Sequence, residues 1–346
     1  MTAKAELLTR ALHERAIQRI KETIDAAAGA DEKMRRRPVV QVGTPRAFED
    51  VDSLLRILVL RDVLGDLARR LPKHLRTFER EQSDQVKALV EAAAAQKSPD
   101  LAARKTDIFV CGLVLVNGRL ALPWQLIRLA TRAAESDDAA RVAETPFADA
   151  VAIVLCEIEC MVSELRVELK ARRPVTSLLK GIHDAARGLR TEMDLSADSP
   201  WSRQLAAIRT DISTLLKAEI ESTPGRVRSL LRPRPSALLD AIDVSDAEML
   251  VEFVDACRSY GNELAVSEVT ARTWLELQHY LETADKGLLD ALRQAGDADR
   301  PFRQSQAEAA IRFCRTVFGA DYAGLLAKAA EIAVQTGTVE RKSVRA

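Results

Sequence analysis

"DIFVCGLVLVNGRLALPW", residues 107–124, is the most apolar stretch of a chain that is otherwise rich in charge. A membrane-spanning helix needs about 20 apolar residues, whereas this stretch ends after roughly 16 and contains Asn117, Gly118 and Arg119. We therefore expect no membrane span here. The Asn117-Gly118 pair favours a tight β-hairpin, because both residues tolerate a positive φ.

A buried helix explains more of the same stretch. The run before Asn117 does not alternate between apolar and polar residues, and the arm after it ends at Pro123. Ser98 is a suitable N-cap, Pro99 suits a first helical turn, and Gly118 offers the left-handed residue that often closes a helix. A helix is favoured over a hairpin for residues 108–122, although the hairpin stays open.

Helical spacing of apolar residues also recurs along the rest of the chain. It is clearest over residues 146–170, where apolar residues follow one another at steps of three and four. Such a seam requires a facing helix. Further helices are predicted over residues 47–71, 72–96, 175–193, 200–222, 245–260, 266–295, 303–318 and 320–335.

The composition supports an all-α fold. Hydrophobic residues make up 47% of the 346 residues and aromatic residues only 4%, so the core must consist mainly of aliphatic side chains, which favours helices. Lysine plus arginine and aspartate plus glutamate each number 51, so no overall field attracts a polyanion. The excess of arginine over lysine is typical of a GC-rich bacterial genome.

The segment "STPGRVRSLLRPRPS", residues 222–236, contains three prolines and four arginines without an acidic residue. Prolines interrupt helices, so this segment is interpreted as an exposed linker. The predicted division is a helical bundle over residues 1–222, a linker over 223–236 and a smaller helical unit over 237–346. The linker arginines are the candidate anion- or partner-binding residues: Arg226, Arg228, Arg232 and Arg234.

No motif predicts a metal site. His183-Asp184 is similar to the metal-binding dyad of HD-type phosphohydrolases, but such a site needs further ligands, and only His74 is a plausible upstream supplier. Glu276 and His279 have the Glu-x-x-His spacing of di-iron bundles, which require a second copy of it.

Cys156 and Cys160 lie one helical turn apart, a spacing that a soft metal accepts. Small cysteines on an apolar helix are commonly buried, however, and two ligands do not make a zinc site. Glycine-rich nucleotide-binding motifs are absent from the sequence. We therefore expect no metal and no cofactor.

The sequence indicates the location and the function of the protein only in broad terms. Five cysteines at irregular spacing indicate a reduced protein, and the N-terminus resembles an amphipathic helix rather than a signal peptide, so a cytoplasmic location is expected. The preferred hypothesis is a protein-interaction or scaffolding module that binds another protein or itself. One alternative is an enzyme that acts on a small anionic substrate through dispersed Arg, Glu and Asp residues. The other is a nucleic-acid binder that uses the arginines of 226–234, which is disfavoured because residues 222–236 contain no aromatic side chain to stack on bases.

Overall fold

The computed structural model describes residues 3–28, 57–76, 78–95, 99–196, 198–232 and 238–344. Within these ranges the chain forms fourteen α-helices, one 3-10 helix over Pro123–Leu126 and no strand, which confirms the all-α prediction. The α-helices are, in chain order, α1 Ala3–Ala28, α2 Arg61–Arg70, α3 Arg80–Ala94, α4 Pro99–Ala102, α5 Lys105–Asn117, α6 Ile127–Ala134, α7 Ala139–Ala143, α8 Asp149–Lys170, α9 Thr176–Glu192, α10 Pro200–Leu231, α11 Ala241–Leu264, α12 Ser267–Gln294, α13 Arg300–Phe318 and α14 Ala320–Val344.

The apolar stretch that opens the sequence forms the buried helix α5, so the hairpin alternative is wrong. Gly118 does not close this helix in the left-handed conformation, because its φ is −66°. Its N–H instead continues the helical pattern by donating to the carbonyl of Val114. The expected start at Pro99 is a separate short helix, α4.

Gly112 explains how α5 is packed. A Cβ atom at this position would lie 3.2 Å from Cδ2 of Leu67 on α2 and 3.3 Å from Cγ1 of Val90 on α3. Both neighbouring side chains are fully buried. A glycine inside a helix costs about 1 kcal/mol relative to alanine, and here it allows two other helices to approach α5 closely.

The predicted seam of α8 is present and is buried inside the protein. Its apolar residues at three- and four-residue steps are almost inaccessible to solvent: Val151, Val154, Leu155, Ile158, Val162 and Leu165. This part of the seam is therefore covered by the protein itself.

The predicted interruption at residues 222–236 is wrong up to Leu231, because α10 continues as a helix through Pro224. A proline inside a helix costs about 3 kcal/mol. Full burial of each large apolar side chain contributes roughly 1.5–3 kcal/mol, and Val227, Leu230 and Leu231 are all buried beyond the proline. Burial of these three side chains therefore outweighs the local cost.

Two side-chain hydroxyl groups of α10 also bond to its backbone next to the proline. The hydroxyl groups of Ser222 and Thr223 both donate to the carbonyl of Glu219, at 3.0 Å and 2.9 Å. The carbonyl that loses its N–H donor to Pro224 is that of Ile220, so these two bonds are ordinary back-bonding of hydroxyl side chains within a helix and do not replace the lost bond.

The C-terminal end of α10 is closed by a side chain from α13. The buried amide of Gln306 donates through Nε2 to the carbonyls of Leu231 and Arg232, at 2.9 Å and 3.1 Å. The last carbonyls of a helix have no partner within the helix, so this amide satisfies groups that would otherwise lack a donor.

The chain divides into two compact units, unit 1 over residues 1–153 and unit 2 over residues 154–346. This division differs from the predicted one at residues 222 and 237. In unit 2, α11 is the central helix and packs against α9, α10, α12 and α13. Among the described residues, no helix has both the length and the apolar character needed to cross a membrane.

Candidate functional site: a basic cleft in unit 2

A cleft of about 210 Å³ opens in unit 2 where the end of α8 and the start of α9 meet α10 and α11. Basic, acidic and apolar side chains all contribute to its lining. The basic residues are Lys170, Arg172, Arg173 and Arg226; the acidic residues are Glu219, Asp246 and Glu252; the apolar residues include Leu169, Val175, Met249, Leu250 and Phe253.

The end of α8 places two of the arginines. The N–H of Arg173 donates to the carbonyl of Glu168, and that of Arg172 donates to the carbonyl of Leu169. This pair of bonds is a Schellman motif, which requires a left-handed residue and usually uses glycine. Arg172 takes that position with a φ of 54°. A side-chain-bearing residue is therefore kept in a conformation that costs about 1–2 kcal/mol.

The first turn of α9 adds positive potential to the cleft. Val175, the N-cap residue, makes no side-chain hydrogen bond to the helix, and Thr176 lines the cleft. The first N–H groups of a helix have no partner within it and carry the positive end of the helix dipole. The wall formed by α9 therefore favours negatively charged groups, as the basic side chains do.

The remaining walls are faces of α10 and α11. Asp246, Met249, Leu250 and Phe253 follow the i, i+3, i+4, i+7 pattern that places them on one face of α11. Phe253 is buried, whereas Met249 and Leu250 are half-buried. The cleft thus combines an apolar wall on α11 with a charged rim.

Three ion pairs hold the cleft arginines. Nη1 of Arg172 lies 3.3 Å from Oδ2 of Asp246, and Nη1 of Arg173 lies 3.1 Å from Oε1 of Glu168. Nη2 of Arg226 lies 3.4 Å from Oε2 of Glu219. The arginine side chains are 69%, 66% and 42% exposed, so these pairs contribute roughly 0–1 kcal/mol each and can exchange partners. Within the described ranges, Lys170 makes no ion pair.

The structure separates the described members of the arginine group that was predicted to bind. Of Arg226, Arg228 and Arg232, only Arg226 lines the cleft. Arg228 lies on another face of α10, where it donates to Glu276 at 2.5 Å and stacks 5.5 Å from the ring centroid of Tyr280. Arg232 lies near the same tyrosine; burial raises the pKa of Tyr280, while Arg228 and Arg232 oppose that rise. Arg234 is outside the described residues.

The His183-Asp184 pair belongs to a local ion-pair network. Nδ1 of His183 lies 3.2 Å from Oδ1 of Asp184, whose other oxygen accepts a hydrogen bond from Lys180 at 2.6 Å. Burial acts to raise the pKa of Asp184, but hydrogen bonds from Lys180 and His183 outweigh it and leave this pKa lowered. In the part of the chain that the structure describes, no three His, Cys, Asp or Glu side chains are grouped to hold a metal ion.

Cys156 and Cys160 are exposed on the outer face of α8, contrary to the burial expected of small cysteines on an apolar helix. Partial burial, the neighbouring Cys160 thiol and nearby acidic residues raise the pKa of Cys156. A raised pKa lowers the thiolate fraction at neutral pH, so this residue is poorly suited to be a nucleophile.

A buried polar cluster joins the helices α12, α13 and α14. The hydroxyl of Tyr322 donates to Oδ2 of Asp285 at 3.0 Å, and the Cys314 thiol lies 3.4 Å from the same oxygen. Burial raises the pKa of Asp285, which these two donors only partly offset. Burial and the bond to Asp285 raise the pKa of Tyr322 to about 12. Asp285 is only 5% exposed, and none of the three residues of this cluster lines the cleft.

The sequence contains one signal for the cleft that motif reasoning missed. The run from Lys170 to Arg173 ends a strongly predicted helix and precedes Pro174, which forces the chain to turn there. The partners of this run, Glu219 and Arg226 on α10 and Asp246 on α11, lie far away in the sequence and come together only in the folded protein.

No protein-family model, curated protein or solved structure matches this chain.

Proposed function

We propose that unit 2 is a protein-binding module that works without a cofactor and receives, in its basic cleft, an apolar segment of a partner protein that carries carboxylates. The supporting observation is the combination of the half-buried side chains of Met249 and Leu250 with a charged rim in which four basic residues outnumber three acidic ones. Apolar anchors surrounded by charged groups are the usual composition of protein-recognition sites.

The size of the cleft favours an anchoring side chain over a whole cofactor. Pockets for small molecules commonly measure about 300–1,000 Å³. The cleft volume of about 210 Å³ is below that range. One or two side chains of a bound segment fill such a volume, while the rest of the segment lies along the rim.

The arginines supply the specificity. Guanidinium groups donate two parallel hydrogen bonds to a carboxylate, and this geometry selects planar anions. The ion pairs of the three cleft arginines are exposed and therefore weak. A carboxylate of the partner can thus replace the acidic residue that each arginine contacts in the free protein at little cost in free energy. We expect this exchange to weaken at high salt, as contacts between exposed charges do.

The two other functions have less support. An enzyme acting on a small anionic substrate would use the same cleft, but none of the described residues that line it is a histidine, serine or cysteine. A nucleic-acid binder that uses the arginines of 226–234 needs them on one surface, whereas Arg226 and Arg228 lie on different faces of α10. The proposal also places the protein in the bacterial cytoplasm, consistent with five thiols that form no disulfide.

Site-specific photo-crosslinking in the native host tests the proposal. A photoreactive residue at Leu250, on the cleft wall, should give one defined crosslinked protein, whereas the same residue at Leu275, which is 65% exposed on α12, should not. The decisive comparison is charge reversal: Arg226→Glu should abolish the crosslink, and Arg228→Glu should retain it. These arginines are matched, since they lie on one helix with side chains that are 42% and 39% exposed.

A synthetic peptide of the crosslinked segment then tests its chemistry. Replacing its carboxylates with amides should weaken binding to the full chain by more than about tenfold, which corresponds to about 1.4 kcal/mol. A crosslink that survives Arg226→Glu would overturn the proposal. Thermal stabilisation by small carboxylates or phosphates, with no protein crosslinked at Leu250, would favour the enzyme instead.

A further inference from the structure

The exposed cysteine pair of α8 is independent of the cleft. Cys156 and Cys160 are separated by one helical turn, and both side chains are exposed. Residues four apart on a helix lie on the same face with Cβ atoms about 5–6 Å apart, so their sulfur atoms can converge on one ion between them.

We propose that Cys156 and Cys160 form a two-sulfur site for a soft, thiophilic cation of low coordination number, for which Cu(I) is the fitting ion. Soft thiolate ligands favour Cu(I), zinc and iron–sulfur clusters, and of these Cu(I) is the ion that accepts as few as two ligands. Binding replaces the two S–H protons with one cation and releases both protons to solvent. No oxidation or reduction of the protein is involved.

The number of ligands excludes zinc at this site. A structural zinc ion takes four ligands in a tetrahedron. Among the described residues no group of three metal-binding side chains occurs, so this pair has no third protein ligand of that kind. The two thiols of α8 therefore suit a cation that needs only two sulfur ligands.

The charges around the pair favour a cation. Glu157 and Glu159 both act electrostatically on the Cys156 thiol, and their negative potential attracts a positive ion to the same point. Glu159 also accepts a hydrogen bond from Gln204 of α10 at 2.9 Å, which keeps its carboxylate in place beside the pair.

The geometry of α8 disfavours a disulfide between the same residues. A disulfide requires Cβ atoms about 3.5–4.5 Å apart, which is shorter than the spacing of residues four apart on a helix. An ion between the sulfurs extends their reach and leaves the helix intact. Metal binding therefore fits the undistorted α8 better than oxidation does.

Anaerobic competition with a chromophoric Cu(I) chelator, using the full chain, tests this site. The wild-type protein should remove one equivalent of Cu(I) from the chelator. Mutating a residue that only hydrogen-bonds to a metal ligand commonly lowers metal affinity by roughly 10- to 100-fold. Because Cys156 and Cys160 are the proposed ligands themselves, Cys156→Ser or Cys160→Ser should weaken Cu(I) binding by at least about tenfold. The matched control is Cys111→Ser, which removes another partly accessible thiol and should leave the affinity unchanged.

Two further measurements complete the test. X-ray absorption of the copper-loaded protein should show two sulfur neighbours, and far-UV circular dichroism should show that each serine variant keeps its helix content. Equal Cu(I) affinity in wild type and both single variants would overturn the site. Loss of binding in Cys111→Ser alone, or a spectrum with three or more sulfur neighbours, would overturn it as well.

Discussion

Arg172 and Asp246 connect the end of α8 to α11, with Nη1 of the arginine 3.3 Å from Oδ2 of the aspartate. The arginine makes this contact from a left-handed backbone conformation, with a φ of 54°. The cleft thus keeps an unfavourable residue in its rim, where glycine would fit the turn better. Strain of this kind is common at binding sites.

Replacing Arg172 with glycine should therefore stabilise the protein and weaken binding in the cleft. Glycine removes a conformational cost of about 1–2 kcal/mol, and the lost ion pair contributes roughly 0–1 kcal/mol, so the free energy of unfolding should rise by about 1 kcal/mol. Chemical denaturation measures this change. Arg173→Gly is the control, because Arg173 is not among the described residues with a positive φ, and it should lower stability.

Gly112 and Gly65 offer a matched pair of helical glycines in unit 1. At Gly65 the nearest atom to an added Cβ is the flexible end of Arg69, at 3.9 Å, so Gly65→Ala should stabilise by up to about 1 kcal/mol. At Gly112 the added atom would press on the buried Leu67 and Val90. We expect Gly112→Ala to lower the free energy of unfolding by about 1 kcal/mol. Equal stabilisation by both substitutions would contradict the close packing of α5.

The buried carboxyl of Asp285 should make stability depend on pH. Because its pKa is raised, the folded protein holds the proton more tightly than the unfolded chain, so stability decreases as pH rises through that pKa. Asp285→Asn keeps the acceptor for Tyr322 without the charge. The variant should be more stable than the wild type at pH 7. This difference in stability should vanish as the pH falls below the ordinary pKa of an aspartate carboxyl group.

Urea unfolding at several pH values measures that difference. Tyr322→Phe is the contrasting variant, since it removes the hydroxyl that donates to Asp285 at 3.0 Å. It should lower stability at pH 7 by about 1–3 kcal/mol, the cost of leaving a buried acceptor without its donor. A pH-independent gain in Asp285→Asn would argue against an ionised, buried carboxylate.

Limited trypsin digestion tests the continuity of α10. Trypsin does not cleave before proline, so Arg232 and Arg234 are not substrates, and only the bonds after Arg226 and Arg228 remain in this segment. Both bonds lie within the helix, next to the buried residues Val227 and Leu230, and should resist cleavage in the folded protein. The same bonds should be cut in urea, which controls for their intrinsic susceptibility. Early cleavage after Arg226 without urea would restore the linker interpretation.

Much of the helical architecture was predictable, because it depends on local patterns. The spacing of Val151, Val154 and Ile158 predicted α8, and Ser199 followed by Pro200 predicted the start of α10, where the hydroxyl of Ser199 accepts from the N–H of Ser202. The path beyond Pro224 was not predictable in the same way. Local propensity indicated a break there, and only the tertiary burial of Leu230 and Leu231 reverses that preference.

The cleft was harder to predict from the sequence than the helices were. The prediction selected arginines that are close in sequence, and of the three that the structure describes only Arg226 lines the cleft. Arg226 and Arg228 differ by two positions, which on a helix means nearly opposite faces. The residues that join Arg226 come from α8 and α11, so their proximity depends on how separate helices pack. A single sequence carries little information about that packing.

The hydrogen bonds of the Gln306 amide also have a consequence for folding during synthesis on the ribosome. It closes the end of α10 by bonding to Leu231, 75 residues earlier in the chain. At a synthesis rate of 5–20 residues per second, roughly 4–15 s separate the two residues. During that interval the carbonyls of Leu231 and Arg232 lack this donor, so the end of α10 should stay frayed in nascent chains stalled before Gln306.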